Sequence, residues 1–450
     1  MRRRTRWSER TDGGEPSHTR RRRPLMLRGS RQSGMGWAPD ALWLRDGPVE
    51  PTEQFPPPVP GRLAFFRAAV SLGVRAFGSS QRMQAPLETA LVRERRWVTE
   101  EEHAGVLRLL DLFPGAPSAN TLAFVGQRLG GWTWSLLGYV GFVLPGVLVT
   151  ALLAWLYVQF DLGTRLEPLF RGFGGAAVGA ILALTLRRVR GAVHARWQMA
   201  VAGAALLLTV AGKASPTEVV LLGAATGLAV ELGFRRRRSR GPDIPPPPAE
   251  GASTVRSVAL AAIPVLAAVH VTGLDAQVVQ ALVLYFRTGL GAYGGGVAII
   301  PHLSERLDAL DWLTPRQLAD GVSVALLTPG PVLLVATFAG YVHHGWSGAG
   351  ASTLALLAAP WVLVQLAGGW LARVREHPFV QAAASGLLPA VVGLMGSAAV
   401  VLGGIPEFHQ PITLAIAGAA ALTLVRYDLN PAWVVAAGGA LRLALHVAGV

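Results

Sequence analysis

Cysteine is absent from the 450 residues. That excludes disulfides, thiolate metal sites and cysteine nucleophiles, and leaves the redox compartment open. Charge is scarce too. Asp, Glu, Lys and Arg make up 15% of the chain, against about 25% in a soluble domain. The shortage is uneven: residues 1–60 are polar, and the rest reads as apolar blocks. Trp132 to Phe160, Gly345 to Ala372 and Pro378 to Pro406 hold no charged side chain. About twenty apolar residues cross a hydrocarbon core as a helix, so three runs of this length exclude a soluble fold.

Lysine is nearly missing. Lys213 is the one lysine, and arginine carries almost all of the positive charge behind the net +14. Such a balance suits cytoplasmic loops beside anionic lipid better than a nucleic-acid partner. Metal-ligand spacing is missing as well: His270 and the pair His343-His344 have no companions, and no metal or other cofactor is expected. A secretory signal is not written into residues 1–60. They carry Arg2 to Arg4, Arg20 to Arg23 and the run Pro56 to Pro58, with no apolar core segment. They read as a disordered basic cytoplasmic tail; translation from Met26 or Met35 is the alternative.

What is present is a pattern written twice. Arg235 to Arg238 and Pro245 to Pro248 mark a linker over 235–254, since four prolines cannot continue a helix. The flanking regions, 61–234 and 255–450, share landmarks in the same order. Phe77-Gly78 matches Tyr293-Gly294, and Gly73 falls on Gly289. Trp97-Val98-Thr99 matches Trp312-Leu313-Thr314. Pro114-Gly115-Ala116-Pro117 matches Pro329-Gly330-Pro331. Gly126 falls near Gly340 and Pro145 on Pro360. Internal repeats of this kind are frequent in secondary transporters.

Charge placement orients the halves. Arg187, Arg188, Arg190 and Arg196, and the run at Arg235, read as cytoplasmic under the positive-inside rule. The segments 61–80 and 102–129 then enter and leave on the cytoplasmic side. One extra helix, about 256–271, inverts the second half. The counterpart of the basic 187–196 loop is 403–411, without Lys or Arg, and the counterpart of Asp161 to Glu167 is the basic Arg373 and Arg375. Both swaps are what inversion requires. The expected fold is all-α, a polytopic membrane protein with two inverted repeats containing Gly/Pro-broken helices. The runs 197–212 and 410–425 are short for full crossings.

The breaks are the candidate working parts. In hydrocarbon a broken helix is tolerated only inside protein or beside a water-filled cavity. The half-helix that follows offers free N–H groups and a partial positive charge, which suit an anion. One such terminus contributes only about 0.3–1 kcal/mol at exposed sites and up to about 2 when partly buried, so two matched breaks persuade where one would be an ordinary kink.

Several of these residues also carry a resemblance. Phe77-Gly78, Trp97, Pro114-Gly115 and Gly126 are similar to the first half of the chromate transporter family. Gly294-Gly295-Gly296, Trp312, Asp320-Gly321, Thr328-Pro329-Gly330-Pro331, Ala336-Thr337-Phe338 and Gly340-Tyr341 resemble its second half. The likeness covers about 61–450 and is closer in the second half. The family's Phe-Gly-Gly-Pro stands here as Phe77-Gly78-Ser79-Ser80, its first Pro-Gly-Pro as Pro114-Gly115-Ala116, and a glutamine before that proline as Asp111. The resemblance implies export of chromate from the cytoplasm through the plasma membrane, with sulfate as a similar tetrahedral dianion.

The substrate-binding candidates are Gly78, Pro114, Gly115, Asn120, Gly294, Gly295, Gly296, Thr328, Pro329, Gly330, Pro331, Thr337 and Arg75. Gly295, Gly330 and the N–H groups after Pro329 are expected to approach the oxyanion. Asn120, Thr328 and Thr337 are neutral donors that bind without trapping. Arg75 either neutralises the anion or snorkels. Arg108 and Asp111 either serve the site or pair along one helix; Arg128, Arg171 and Arg287 snorkel, and Glu231 is interfacial. No covalent chemistry is needed, so a transporter is expected and not an enzyme. The partners are the oxyanion and membrane lipid, with no nucleic acid, and a homo-oligomer is left open. The rival readings are a sulfate or other anion transporter of the same fold, a membrane enzyme using Asp308 and Asp311, and a scaffold acting through its tail.

Overall fold

A computed structural model of the chain describes residues 60–77, 83–236, 276–374, 377–427 and 429–449. The expected tail, nearly all of the linker, the helix expected at 256–271, Gly78 and His270 lie outside the described residues. Among the described residues, regular structure is helical, apart from one isolated bridge between Phe77 and Pro329.

The first half comprises α1 (Arg62–Val74), α2 (Glu100–Leu110), α3 (Pro117–Gly130), α4 (Trp132–Gln159), α5 (Glu167–Ala192), α6 (Arg196–Val210) and α7 (Pro216–Arg236). The second comprises α8 (Ala276–Leu290), α9 (Ile300–Ala309), α10 (Pro315–Leu327), α11 (Val335–Val374), α12 (Pro378–Gly403), α13 (Pro411–Arg426) and α14 (Pro431–Val447). Among the described residues, four stretches are long and apolar enough to cross a membrane: α4, α5, α12 and Val332–Leu366. The apolar helices α6 and α13 have 15 and 16 residues. At 1.5 Å per residue each falls short of a core about 30 Å thick. They occupy equivalent places in the two halves, so the short crossing is a property of the repeat.

Local chemistry repeats as the landmarks do. Thr99 starts α2 with a capping box in which Glu102 N–H donates to Thr99 Oγ1 at 3.2 Å and Thr99 N–H donates to Glu102 Oε2 at 3.1 Å. Thr314 starts α10 the same way with Gln317, at 3.2 and 3.0 Å. Each box satisfies two amides that a helix start leaves open. The residue before each landmark tryptophan, Arg96 (φ 52) or Asp311 (φ 55), has left-handed backbone, which is uncommon outside glycine. Gly131 (φ 79, ψ −161) separates α3 from α4, and Gly345 (φ 60, ψ −146) bends α11 at the equivalent point.

Packing shows the inversion directly. Thr185 of α5 meets Gly396 of α12, Val178 meets Gly403, and Gly174 meets Phe408 just beyond α12. One helix is traversed backwards as the other runs forwards, so the equivalent helices α5 and α12 are antiparallel. A two-fold along the membrane normal would leave them parallel; the observed pair requires an axis in the membrane plane. Each of these helices also packs on the last two helices of the other half. Gly175 and Gly179 of α5 meet Thr413 and Ala417 of α13, while Gly172 meets Gly438 of α14. Likewise Gly393 of α12 meets Ala202 of α6, and Gly223 and Gly227 of α7 meet Gly386. Small residues let these backbones approach, as in membrane helix pairs generally. The two repeats are therefore interlocked.

Candidate functional site

The two Pro-Gly breaks each donate a hydrogen bond to the opposite repeat. Proline has no N–H and cannot continue a helix, so α2 stops before Pro114 and α10 before Pro329. The glycine that follows takes a backbone few other residues reach: φ is 99 at Gly115 and 124 at Gly330. Gly115 N–H donates to the Ala292 carbonyl at 2.8 Å, and Gly330 N–H donates to the Ala76 carbonyl at 2.7 Å. Ala76 and Ala292 are equivalent residues just beyond α1 and α8. Each repeat thus supplies the acceptor for the other's break.

The long helices complete this crossing. A Cβ on Gly115 would strike the Pro360 ring of α11, and one on Gly146 of α4 would strike the Pro329 carbonyl oxygen. Pro145 and Pro360 are equivalent positions, so this contact too is made twice. Gly294, Gly295 and Gly296 follow the acceptor Ala292 with φ of 64, 73 and 99. They pass between Met395 at the centre of α12 and Leu333 at the opening of α11.

The predicted side chains divide into those at the breaks and those elsewhere. Asn120 is fully buried. Its Nδ2 donates to the Pro114 carbonyl at 2.8 Å, and its Oδ1 is buried with no hydrogen-bond partner. Thr328 is buried; its hydroxyl donates to the Ala325 carbonyl at 3.2 Å and accepts from Thr150 of α4 at 3.1 Å. Pro331 leads into a helical turn, Val332–Leu334, that opens α11. Thr337 belongs to a hairpin and not to the break: its hydroxyl meets Thr353 at 2.7 Å across the bend at Gly345. Arg75 is exposed at the end of α1, two residues before the Phe77–Pro329 bridge.

Because Gly115 and Gly330 spend their amides on each other's repeat, the donors facing the break are the next ones along. The first amides of a helix have no carbonyl one turn earlier. Those of Val332 and Leu333 open α11, and that of Ala119 opens α3.

Several ionisable residues named from the sequence have partners. Asp111 pairs with Arg188 near the end of α5. Arg128 pairs with Glu102, and Arg171 with Glu167 at 2.6 Å. Asp308 and Asp311 are exposed. Residues the sequence left unmarked are Gly146, Thr150, Ala76 and Ala292. A signal for Gly146 was present, because Pro145-Gly146 is another Pro-Gly pair.

Comparison with known proteins finds two matching regions in the chain. The family model described as chromate transporter matches residues 63–228 and again 279–443. The chain is 28% identical over 401 residues, 86% of its length, to the chromate transport protein of Pseudomonas aeruginosa, 93% of which is covered. It is 28% identical over 339 residues to a probable chromate transport protein of Synechococcus elongatus, covering 74% of this chain and 82% of that one. It is 27% identical over 383 residues to the chromate transport protein of Cupriavidus metallidurans, covering 83% and 91%. No solved structure matches.

Proposed function

The chain belongs to the chromate transporter family, and from that membership we propose that it carries chromate out of the cytoplasm across the plasma membrane. The observation that supports this most is the reciprocal bonding of the two breaks, Gly115 to Ala292 and Gly330 to Ala76. It ties each break to the opposite repeat, and a tetrahedral dianion would meet the amide donors of the half-helix that follows a break. Thr328 spends its one proton on the Ala325 carbonyl and Asn120 turns an amide N–H to the Pro114 carbonyl, so both shape the breaks while backbone amides bind the anion, and Gly294 to Gly296 admit close approach. Held by neutral groups, the anion is released as readily as it is bound. Arg75, exposed two residues before the Phe77–Pro329 bridge, suits a role in drawing the anion in.

Energetics favour the outward direction. An inside-negative potential is worth about 2.3 kcal/mol per charge per 100 mV, and a departing dianion gains about twice that. Uptake of the same ion would need a coupling ion. Chromate loaded into vesicles holding the purified chain should leave faster as the interior is made more negative, and sulfate should compete. Flux no greater than from empty vesicles, at every imposed potential, would end the proposal.

Orientation follows from ion pairs at the two ends of α5. Arg188, near its C-terminus, holds Asp111, and Glu167, at its N-terminus, holds Arg316 at 3.0 Å. With the basic 187–196 loop inside, the start of α10 and the 403–411 loop face outside. The natural chain has no cysteine, so a single Gly404→Cys reports its side cleanly. Labelling by an impermeant maleimide from outside is expected; labelling from the cytoplasm alone would reverse the arrangement.

A further inference from the structure

Asp320 takes no part in the paired breaks, yet it is 1% exposed. One carboxylate oxygen accepts from the Tyr157 hydroxyl at 2.8 Å. The other is buried and has no hydrogen-bond partner. The pocket around it is aromatic: the Tyr157 ring lies 5.0 Å from Phe338 and 5.3 Å from Phe170, and Val324 and Ala154 close the remainder.

The charges around this pocket do not neutralise it. Arg316, one turn earlier on α10, pairs with Glu167 of α5 at 3.0 Å, and Glu167 also holds Arg171. One guanidinium nitrogen of Arg316, Nη2, is buried without a partner. Arg316 adds positive field at Asp320, while Glu407, before α13, and Glu167 add negative field there, and Asp161 adds it at Tyr157. From α11 come Phe338 and Tyr341, and on α14 Arg442 is bonded to Gln410. Burying a carboxylate with an empty acceptor site and no paired cation is costly, and intramembrane acids that persist usually serve a relay or a pathway.

We propose that Asp320 is a proton-binding site, neutral in the arrangement seen. It gives its proton to water on the Glu167 face when Arg316 leaves Glu167 and pairs with Asp320. The same half-helix carries the Thr328-Pro329-Gly330 break eight residues later, so proton and anion act on one moving part. That last link rests on the proposed transport; the proton site itself does not.

Infrared titration of the full chain in lipid tests the site without any flux. A protonated-carboxyl band present at neutral pH should be missing from Asp320→Asn. Glu167→Gln frees Arg316 for Asp320, so proton affinity should fall at least about tenfold and the band should be lost at lower pH. If Asp320→Asn fails to insert, this second variant carries the test alone. Vesicle flux should depend on pH in the parent and lose that dependence in Asp320→Asn. A neutral-pH band unchanged by both substitutions would overturn the site. A band that behaves as expected beside an unchanged flux profile would overturn the coupling. The band without any chromate flux in the parent would sink the transport reading and leave the proton site standing.

Discussion

Gly330→Val is expected to cut chromate flux from reconstituted vesicles at least about 100-fold, the scale of loss that a misplaced site of about 1 Å can cause. Inserted protein should stay at the parental amount. Position 330 holds φ 124, where a β-branched residue costs about 1–3 kcal/mol. A side chain there would also meet Leu334 and the backbone of Gly146. The strain is relieved by rotating the peptide that donates to Ala76, which removes one of the two backbone bonds that tie the breaks to the opposite repeat. Helices α10 and α11 are untouched on either side, so insertion should survive. Gly418→Ala is the matched control, since an added Cβ there meets nothing within 4 Å. Parental flux in Gly330→Val at normal abundance would remove the break from the mechanism.

Gly146→Ala should have an effect of the same order for a different reason. Helical backbone at 146 accepts alanine readily, so no local strain arises. The new methyl would instead overlap the Pro329 carbonyl oxygen, and overpacking of this kind costs about 1–3 kcal/mol. Either α4 retreats or the Pro329-Gly330 segment shifts, and both open the crossing. A loss of about 10- to 100-fold in flux is expected, with α4 still inserting as a 28-residue apolar helix. Flux measured beside surface abundance decides the matter: a drop in both together would signify misfolding, and no drop at all would show that the close approach is not needed.

The sequence carried the repeat and the breaks because both rest on local chemistry. Proline ends a helix wherever it stands, and Trp-x-Thr before a helix start marks a cap in each half. Inversion was legible from loop charge, since the basic Arg187 to Arg196 in one half correspond to 403–411, without Lys or Arg, in the other. Partners across the fold were not legible. Asp111 had Arg108 close by in sequence but pairs with Arg188, 77 residues away. Thr337 sits within two turns of a break, yet its hydroxyl bonds Thr353 in the hairpin. Gly146 was hidden by a charge-free run that reads as an unbroken span. The acceptors of the Gly115 and Gly330 amides lie in opposite repeats, and no local pattern names Ala292 or Ala76.

Chromium itself provides the most direct test. Anomalous diffraction from crystals of the chain grown with chromate locates the anion without assumptions about its ligands. The expected result is a strong peak at the breaks, within hydrogen-bond reach of the amides of Val332 or Leu333 or of that of Ala119. A peak confined to the arginine-lined cavity of about 350 Å³ bordered by Arg187, Arg190 and Arg426, with none at the breaks, would contradict it.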